Sequence, residues 1–497
     1  MNKIREKILL WYEKMKAEVI SYKCMLLPVG IMSGLYLLGI TAILRANFNY
    51  IDDMRRVVHG IKEWDVSSRF VSYYLSTFIH FGNHLTDISP LPQLIAVVIL
   101  AVSSVIILYV MTGKTKFNLW EYAAVIPLGL SPYFLECISY KYDSPYMALS
   151  ILGGVLPLFF LKYGYLVYFL MSFAGILIVC NTYQAATGIF PLFVMFMALK
   201  RWNEKEAEKE IGKFVGTSIL GYVTGLLFYR SFIMVPINSY ISSDVPALNR
   251  LFPIAWKHLQ RYSSYIDSDF RVEWKILIVF ICIAFIYVSI RDSKRKKYAA
   301  IPVTLLIFVG AALLMFGIYP MLESPLFDPR TMYGLGAFIA FMGVYVASAK
   351  KMIPGKLVCL ALSYAFVVFA FTYGNALYVQ KTYTDFRITE TIDDLLEIES
   401  FNSEETKNVQ IIGSIGHAPA LRSLPQDYQM LNRLVPITFS NSSWGWGRFG
   451  FEYYYSLKNI VFDDTVDLRN SELPILVENQ YHVIYGDKKN ILIKLFP

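Results

Sequence analysis

The stretch Met25 to Leu44, MLLPVGIMSGLYLLGITAIL, followed at once by RANFNYIDDMRR through Arg56, decides the fold of this chain. Its first part carries no charge and matches the roughly 20 apolar residues that a helix needs to cross a bilayer. Its second part sets Asp52, Asp53, Arg55 and Arg56 within twelve positions of the end of that run. Charged groups so close to hydrocarbon are costly unless they are solvated, paired or used. The junction is therefore read as a site at the membrane surface.

Apolar runs of about 17–25 residues recur along the chain. They fall near 25–44, 92–112, 119–138, 145–161, 164–183, 184–200, 214–236, 275–291, 299–319, 332–349 and 356–378, about eleven spans in all. Composition agrees: of 497 residues, 56% are hydrophobic and 17% charged, where a soluble domain carries about 25% charged residues. Mean hydropathy is +0.45, and 35 Phe with 36 Tyr suit aromatic belts at membrane interfaces. The formal charge of +8 is spread over short loops and makes no single basic face, which argues against nucleic-acid binding. The five cysteines, Cys24, Cys137, Cys180, Cys282 and Cys359, lie in or beside apolar runs and show neither disulfide nor metal spacing. Residues 1–23 read as a basic amphipathic helix on the inner membrane surface, with no cleavable signal pattern.

Lys and Arg set the expected orientation. Lys114/Lys116, Lys162, the run from Lys200 to Lys213, the run from Arg291 to Lys297, and Lys350/Lys351/Lys356 all fall on one side, which is taken as cytoplasmic. The loops 45–91 and 237–274 are then outside, as is everything after Val379. Met54–Lys62 and Arg69–Phe81 have the spacing of short interfacial helices. From Thr382 the composition turns mixed and polar. A helix is expected over Ile388–Ile398, a strand over Val409–Ile412, and a hairpin of Tyr481–Tyr485 with Ile491–Leu495 around Gly486-Asp487. The expected architecture is an α-helical polytopic membrane domain, residues 24–379, followed by a small α/β extracytoplasmic domain, residues 380–497.

The acid pair has two readings. Asp52 and Asp53 can cap a helix starting at Met54, or a carboxylate there can take a proton from an attacking sugar hydroxyl. Capping explains only one of them. Around them, at the same membrane level, the span ends supply Asp65 and Arg69, then Thr86-Asp87, Glu136, Lys141-Tyr142-Asp143, Tyr183-Gln184 and Asp328-Pro329-Arg330. Each alone is an ordinary span terminus. Together they form a polar ring that can hold a carbohydrate and neutralise a phosphate. The six histidines show no metal-ligand spacing and read as surface residues.

YIDDMRR, the Arg69 segment, TDISPLPQL, KYDSPY and NTYQAATG, in that order, resemble the serotype-converting type II Gtr glucosyltransferases, within the membrane glycosyltransferase superfamily C (GT-C). The likeness covers most of the membrane region; the C-terminal domain matches in position and general character. The resemblance implies an inverting hexosyltransferase of a bacterial inner membrane. It would move glucose or a similar hexose from a polyprenyl-phosphate donor such as undecaprenyl phosphate glucose onto a surface polysaccharide, outside the cell. It also implies an acidic residue of the first outer loop, Asp52 or Asp53, as base or organiser of the site. Substrate and phosphate contacts are expected from Arg55, Arg56, Arg69, Asp87, Lys141, Tyr142, Asp143, Tyr183, Gln184 and Arg330. The Asp52/Asp53 pair also offers ligands for a divalent cation, Mg or Mn, which some superfamily members use. The alternative is a transporter or flippase of lipid-linked or polymeric sugars, against which stands the scarcity of ionisable residues within the spans. The aromatics of SSWGWGRFGFEYYY, including Trp444 and Trp446, read first as packing of the C-terminal domain onto the membrane domain and second as a sugar-stacking surface.

Overall fold

A computed structural model describes the backbone of residues 2–235, 244–398, 401, 405–441, 445–455, 459–462, 467–470 and 472–497; in the first helix, side chains are described from Lys23 onward. Each expected apolar run contains helix. Among the described residues nine helices are long and apolar enough to cross a membrane. The run at 119–138 is instead a pair of helices, Leu119–Leu130 and Pro132–Ser139, bent by 59°. Ser131 explains the bend: it precedes Pro132, which disfavours the helical region, and its ψ is 143°. The run at 332–349 gives a helix of 15 residues, Gly334–Ser348.

Two helices are longer than expected. Asn2–Ala46 is continuous, so residues 2–23 run into the first span without a break; the side chains of residues 1–22 lie outside the described residues. Ile353–Glu397 has 45 residues, about 65 Å at 1.5 Å per residue. The sequence expects a span ending at 378 and a separate helix at 388–398. No Pro or Gly intervenes between Tyr378 and Ile398, so the change of composition alters which face is buried and leaves the backbone helical.

Close packing ties these helices together. A Cβ on Gly374 would lie 2.5 Å from the Ala42 carbonyl carbon, and one on Gly175 would lie 2.5 Å from the Gly153 oxygen. The first contact joins the first and last spans. The Lys/Arg-rich turns meet at one end of the bundle: Lys200 Nζ donates to Met111 O, Arg295 Nη2 to Glu206 O and Arg291 Nη2 to Lys350 O.

The opposite end carries the C-terminal domain. Its sheet has the order β2-β1-β5-β4-β3, with β1 Lys407–Gly413, β2 Ile460–Val461, β3 Ile475–Glu478, β4 His482–Gly486 and β5 Asn490–Leu495. β1 runs parallel to β2 and β5, while β4 pairs antiparallel with β3 and β5. The strand and hairpin expected from sequence are β1, β4 and β5. Ile388, Ile392 and Leu395 of the long helix join Val409, Ile484 and Ile493 in one apolar core, so the last span and the sheet share a rigid element. Buried Arg387 fixes the join, its Nη2 donating to Tyr481 O at 2.6 Å and Phe496 O at 2.8 Å.

Candidate active site

Helix Asp52–His59 follows Ile51, whose φ of 47° is unusual for a β-branched residue and marks local strain. The helix begins at Asp52, not Met54, so both acids occupy its first turn. Neighbouring positions on a helix point about 100° apart, and the two carboxylates have different surroundings. Asp53 is fully buried. It accepts the backbone N–H of Tyr50 at 3.0 Å, of Lys141 at 2.9 Å and of Tyr142 at 3.4 Å. Burial pushes its pKa up to about 7, against the opposing pull of Arg56 and the Lys141 N–H. Asp52 is exposed and accepts no hydrogen bond from a described residue, while its field reaches Arg56 and Tyr140.

The expected ring residues fall into three groups. In the first, buried Arg56 holds Asp143, which also accepts Trp64 Nε1 at 2.5 Å, and the Arg56 guanidinium lies 4.5 Å from the Trp64 ring centroid. Buried Lys141 donates to Asn49 Oδ1 at 2.7 Å and sits 3.3 Å from Asp87. Burial opposes ionisation of Asp87, but bonds from Ser89 and Lys141 win and hold its carboxyl below the ordinary range. The Tyr142 ring stacks on His80 at 5.5 Å. In the second group, Arg69 Nε donates to Gln184 Oε1 at 3.1 Å and its guanidinium lies 4.7 Å from the Tyr183 ring centroid. Gln184 Nε2 is held in turn by the Tyr229 hydroxyl at 3.0 Å. In the third, Arg330 donates to Glu136 through its backbone N at 2.6 Å and Nη1 at 2.9 Å, and meets Asp328 at 2.9 Å. Tyr183 and Tyr319 lie within reach of both Arg69 and Arg330. Arg55 turns away to Glu63 at 2.9 Å.

These charges are not equally available. Arg56, Lys141 and Arg330 each meet a carboxylate, whereas Arg69 pairs with none among the described residues. Asp53 has both oxygens turned to backbone N–H groups, so it does not face outward with Asp52 as a two-carboxylate ligand set. Among the described residues no group of three or more His, Cys, Asp or Glu is placed to hold a metal ion.

The sequence profile of the glucosyl transferase GtrII family matches residues 41–341, a stretch that contains every candidate residue from Asp52 to Arg330. This chain belongs to the GtrII glucosyl transferase family. A Salmonella phage P22 protein, described as an uncharacterized 55.3 kDa protein in the gtrB 5′ region, is 23% identical over 470 residues, 89% of this chain and 93% of that protein. No solved structure matches the chain significantly. Membership makes the chain a glucosyltransferase of the Gtr type, and its apolar helices make it a membrane protein.

Within this GtrII member, sequence reasoning placed Glu136 in the polar ring without giving it a role and left Tyr140 out. Glu136 is an acid inside an apolar run, which is itself a signal of use. Sequence reasoning expected the C-terminal domain to pack on the membrane domain but named no contact with the acid-pair helix. Helix Trp446–Tyr454 packs on helix Asp52–His59, where His59 Nε2 lies 3.2 Å from Glu452 and its ring 5.5 Å from that of Phe449. Phe449 is buried beside His59 and Phe451 joins the sheet core, while Tyr453 and Tyr454 of the same run are exposed; Trp444 lies outside the described residues. Tyr50, two residues before Asp52, donates its hydroxyl to Leu434 O at 2.8 Å.

Proposed function

We propose that this glucosyltransferase is an inverting GT-C enzyme that moves a hexose from a polyprenyl-phosphate donor to a hydroxyl of a surface polysaccharide. Asp52 is its base. The carrying observation is the division of labour within the acid pair: Asp53 is spent on backbone N–H groups, while Asp52 is exposed and accepts no hydrogen bond from a described residue. Asp52 takes the acceptor hydroxyl proton as that oxygen bonds to the anomeric carbon. The bond from that carbon to the phosphate oxygen breaks, and its electron pair leaves with the polyprenyl phosphate. Arg69, which pairs with no carboxylate among the described residues, neutralises this phosphate. The N-terminus of helix Phe70–Ile79 beside it has no side-chain cap and adds free N–H donors.

In this reading the bundle end bearing Asp52 and the C-terminal domain faces outward from a bacterial inner membrane, and the end where the basic turns gather faces the cytoplasm. The bent Leu119–Ser139 pair and Gly334–Ser348 complete eleven spans. The buried pairs Arg56–Asp143 and Arg330–Glu136 sit at helix ends, which supports an interfacial enzyme over a transporter with ionisable groups at mid-span. The deciding experiment reconstitutes the full chain with polyprenyl-phosphate glucose and polysaccharide. Transfer by wild type and its loss in Asp52→Asn support the reading; undiminished transfer by a well-folded Asp52→Asn protein sinks it.

A further inference from the structure

A cavity of about 330 Å³ lies between the end of helix Leu248–Asp269, the start of helix Val272–Arg291 and the segment 426–429 of the C-terminal domain. That volume is at the small end of ligand sites, which run roughly 300–1,000 Å³, and suits about one or two sugar rings. Its two cations are already satisfied: Arg271 Nε donates to Glu273 at 3.0 Å and Lys275 Nζ to Asp267 at 2.7 Å. Asp427, exposed with Gln426 and Gln429, pairs with no cation among the described residues. Asp269 adds a further acid at the buried wall, paired with Arg433. A phosphate finds no free cation here. A neutral polyol does find partners, because carboxylates and amides accept from and donate to sugar hydroxyls.

The cavity is also tied to the acid pair. Asp269 accepts the Tyr133 hydroxyl at 2.9 Å, and Tyr133 stands one turn before Glu136 on helix Pro132–Ser139. Arg433 holds Asp269, and the next residue, Leu434, accepts the hydroxyl of Tyr50. One wall comes from the membrane domain and the other from the C-terminal domain, so the cavity exists only when the two are docked.

We propose that this cavity is the acceptor subsite, taking a neutral, hydroxyl-rich saccharide unit while the donor occupies the Arg69 side. The proposal rests on the transferase reading above. Its test uses the full chain in lipid nanodiscs, polyprenyl-phosphate glucose as donor, and neutral oligosaccharides released from the host surface polysaccharide by mild acid as acceptor probe. Gln426→Leu with Asp427→Leu is expected to raise the acceptor KM at least tenfold, with the donor KM within twofold of wild type. An acceptor KM within twofold of wild type overturns the subsite. A second arm guards against misfolding: in Gln429→Cys, a bulky maleimide is expected to block transfer, while wild type treated alike keeps its activity. A fully labelled and fully active Gln429→Cys protein overturns the proposal, as does equal competition by a sulfated oligosaccharide. Failure of the transferase reading would look different, since wild type itself would then transfer nothing.

Discussion

The backbone N–H of Lys141 donates to the buried carboxylate of Asp53 over 2.9 Å, tying the turn after helix Pro132–Ser139 to the helix that begins at Asp52. An acid held this way is a brace: removing it unties two elements, whereas removing its exposed neighbour unties nothing. Asp52→Asn is therefore expected to keep wild-type thermal stability and lose transfer by about 10²–10⁴-fold, the range for a general base. Asp53→Asn turns an amide N–H toward a backbone N–H and leaves a buried donor unsatisfied, which costs about 1–3 kcal/mol. Melting temperature and transfer rate, measured on both variants, separate the two roles.

Burial also gives Asp53 a pH signature. Its folded-state pKa is raised to about 7, above the ordinary value of about 3.9 for an unfolded Asp. Between those values the folded chain holds a proton that the unfolded chain has lost. Stability from this group is thus full below about pH 4 and is lost as pH rises through about 7. Over that window wild type should lose a few kcal/mol that the Asp53→Asn variant does not. Denaturant titrations from pH 4 to 8 on both proteins check the sign; a wild-type stability that rises across this window relative to the variant would refute it.

How much of this was legible beforehand depends on what each residue signals. The helices were readable because a membrane requires long apolar runs, and β1, β4 and β5 because alternation and the Gly486-Asp487 turn are local. The bend at Ser131 was missed although Pro132 encodes it, since an uninterrupted apolar run outweighed one proline. Several members of the expected ring do meet, Arg56 with Asp143, Lys141 with Asp87 and Arg69 with Gln184, because span termini gather at the ends of a bundle. Which members were free was not readable: Asp52 and Asp53 differ only through the Tyr50, Lys141 and Tyr142 N–H groups, two of them nearly ninety positions away. Likewise Arg56 and Arg69 look alike in sequence, and only Asp143 tells them apart.

That difference predicts unequal outcomes for two arginines. Arg69 meets Gln184 and the Tyr183 ring but no carboxylate among the described residues, so Arg69→Gln should fold normally and lose about 2.7–4 kcal/mol of transition-state stabilisation, a fall of roughly 10²–10³ in kcat. Arg69→Lys should recover part of it, keeping the charge without the planar contact to Tyr183. Arg330→Gln leaves Glu136 buried beside Asp328 without its cation, so it should lower stability first. Steady-state kinetics beside thermal melts distinguish the two.

Metal dependence follows from the donor set. Asp53 spends both oxygens on backbone N–H groups, which leaves Asp52 as the one outward carboxylate of the pair, and a divalent ion ordinarily takes several oxygen ligands. Transfer by the purified protein is expected to persist in excess chelator and to change less than twofold on adding Mg or Mn. A rate abolished by chelator and restored by either ion would assign the exposed acid to a metal instead of a proton.

The Arg56–Asp143 pair gives the most demanding test of what holds the site together. Both side chains are buried, and Trp64 closes over them by donating to the same carboxylate. Breaking a buried pair leaves a bare charge and costs about 3–5 kcal/mol, while replacing both partners with apolar groups of similar size is often neutral. Arg56→Met alone and Asp143→Leu alone should each destabilise the protein by that amount, and the double variant should regain much of the loss. If the pair serves only to place helix Asp52–His59, the double variant should also regain transfer. If Arg56 or Asp143 touches substrate, stability will return without activity, so melting temperature and kcat together decide between a scaffold and a binding role.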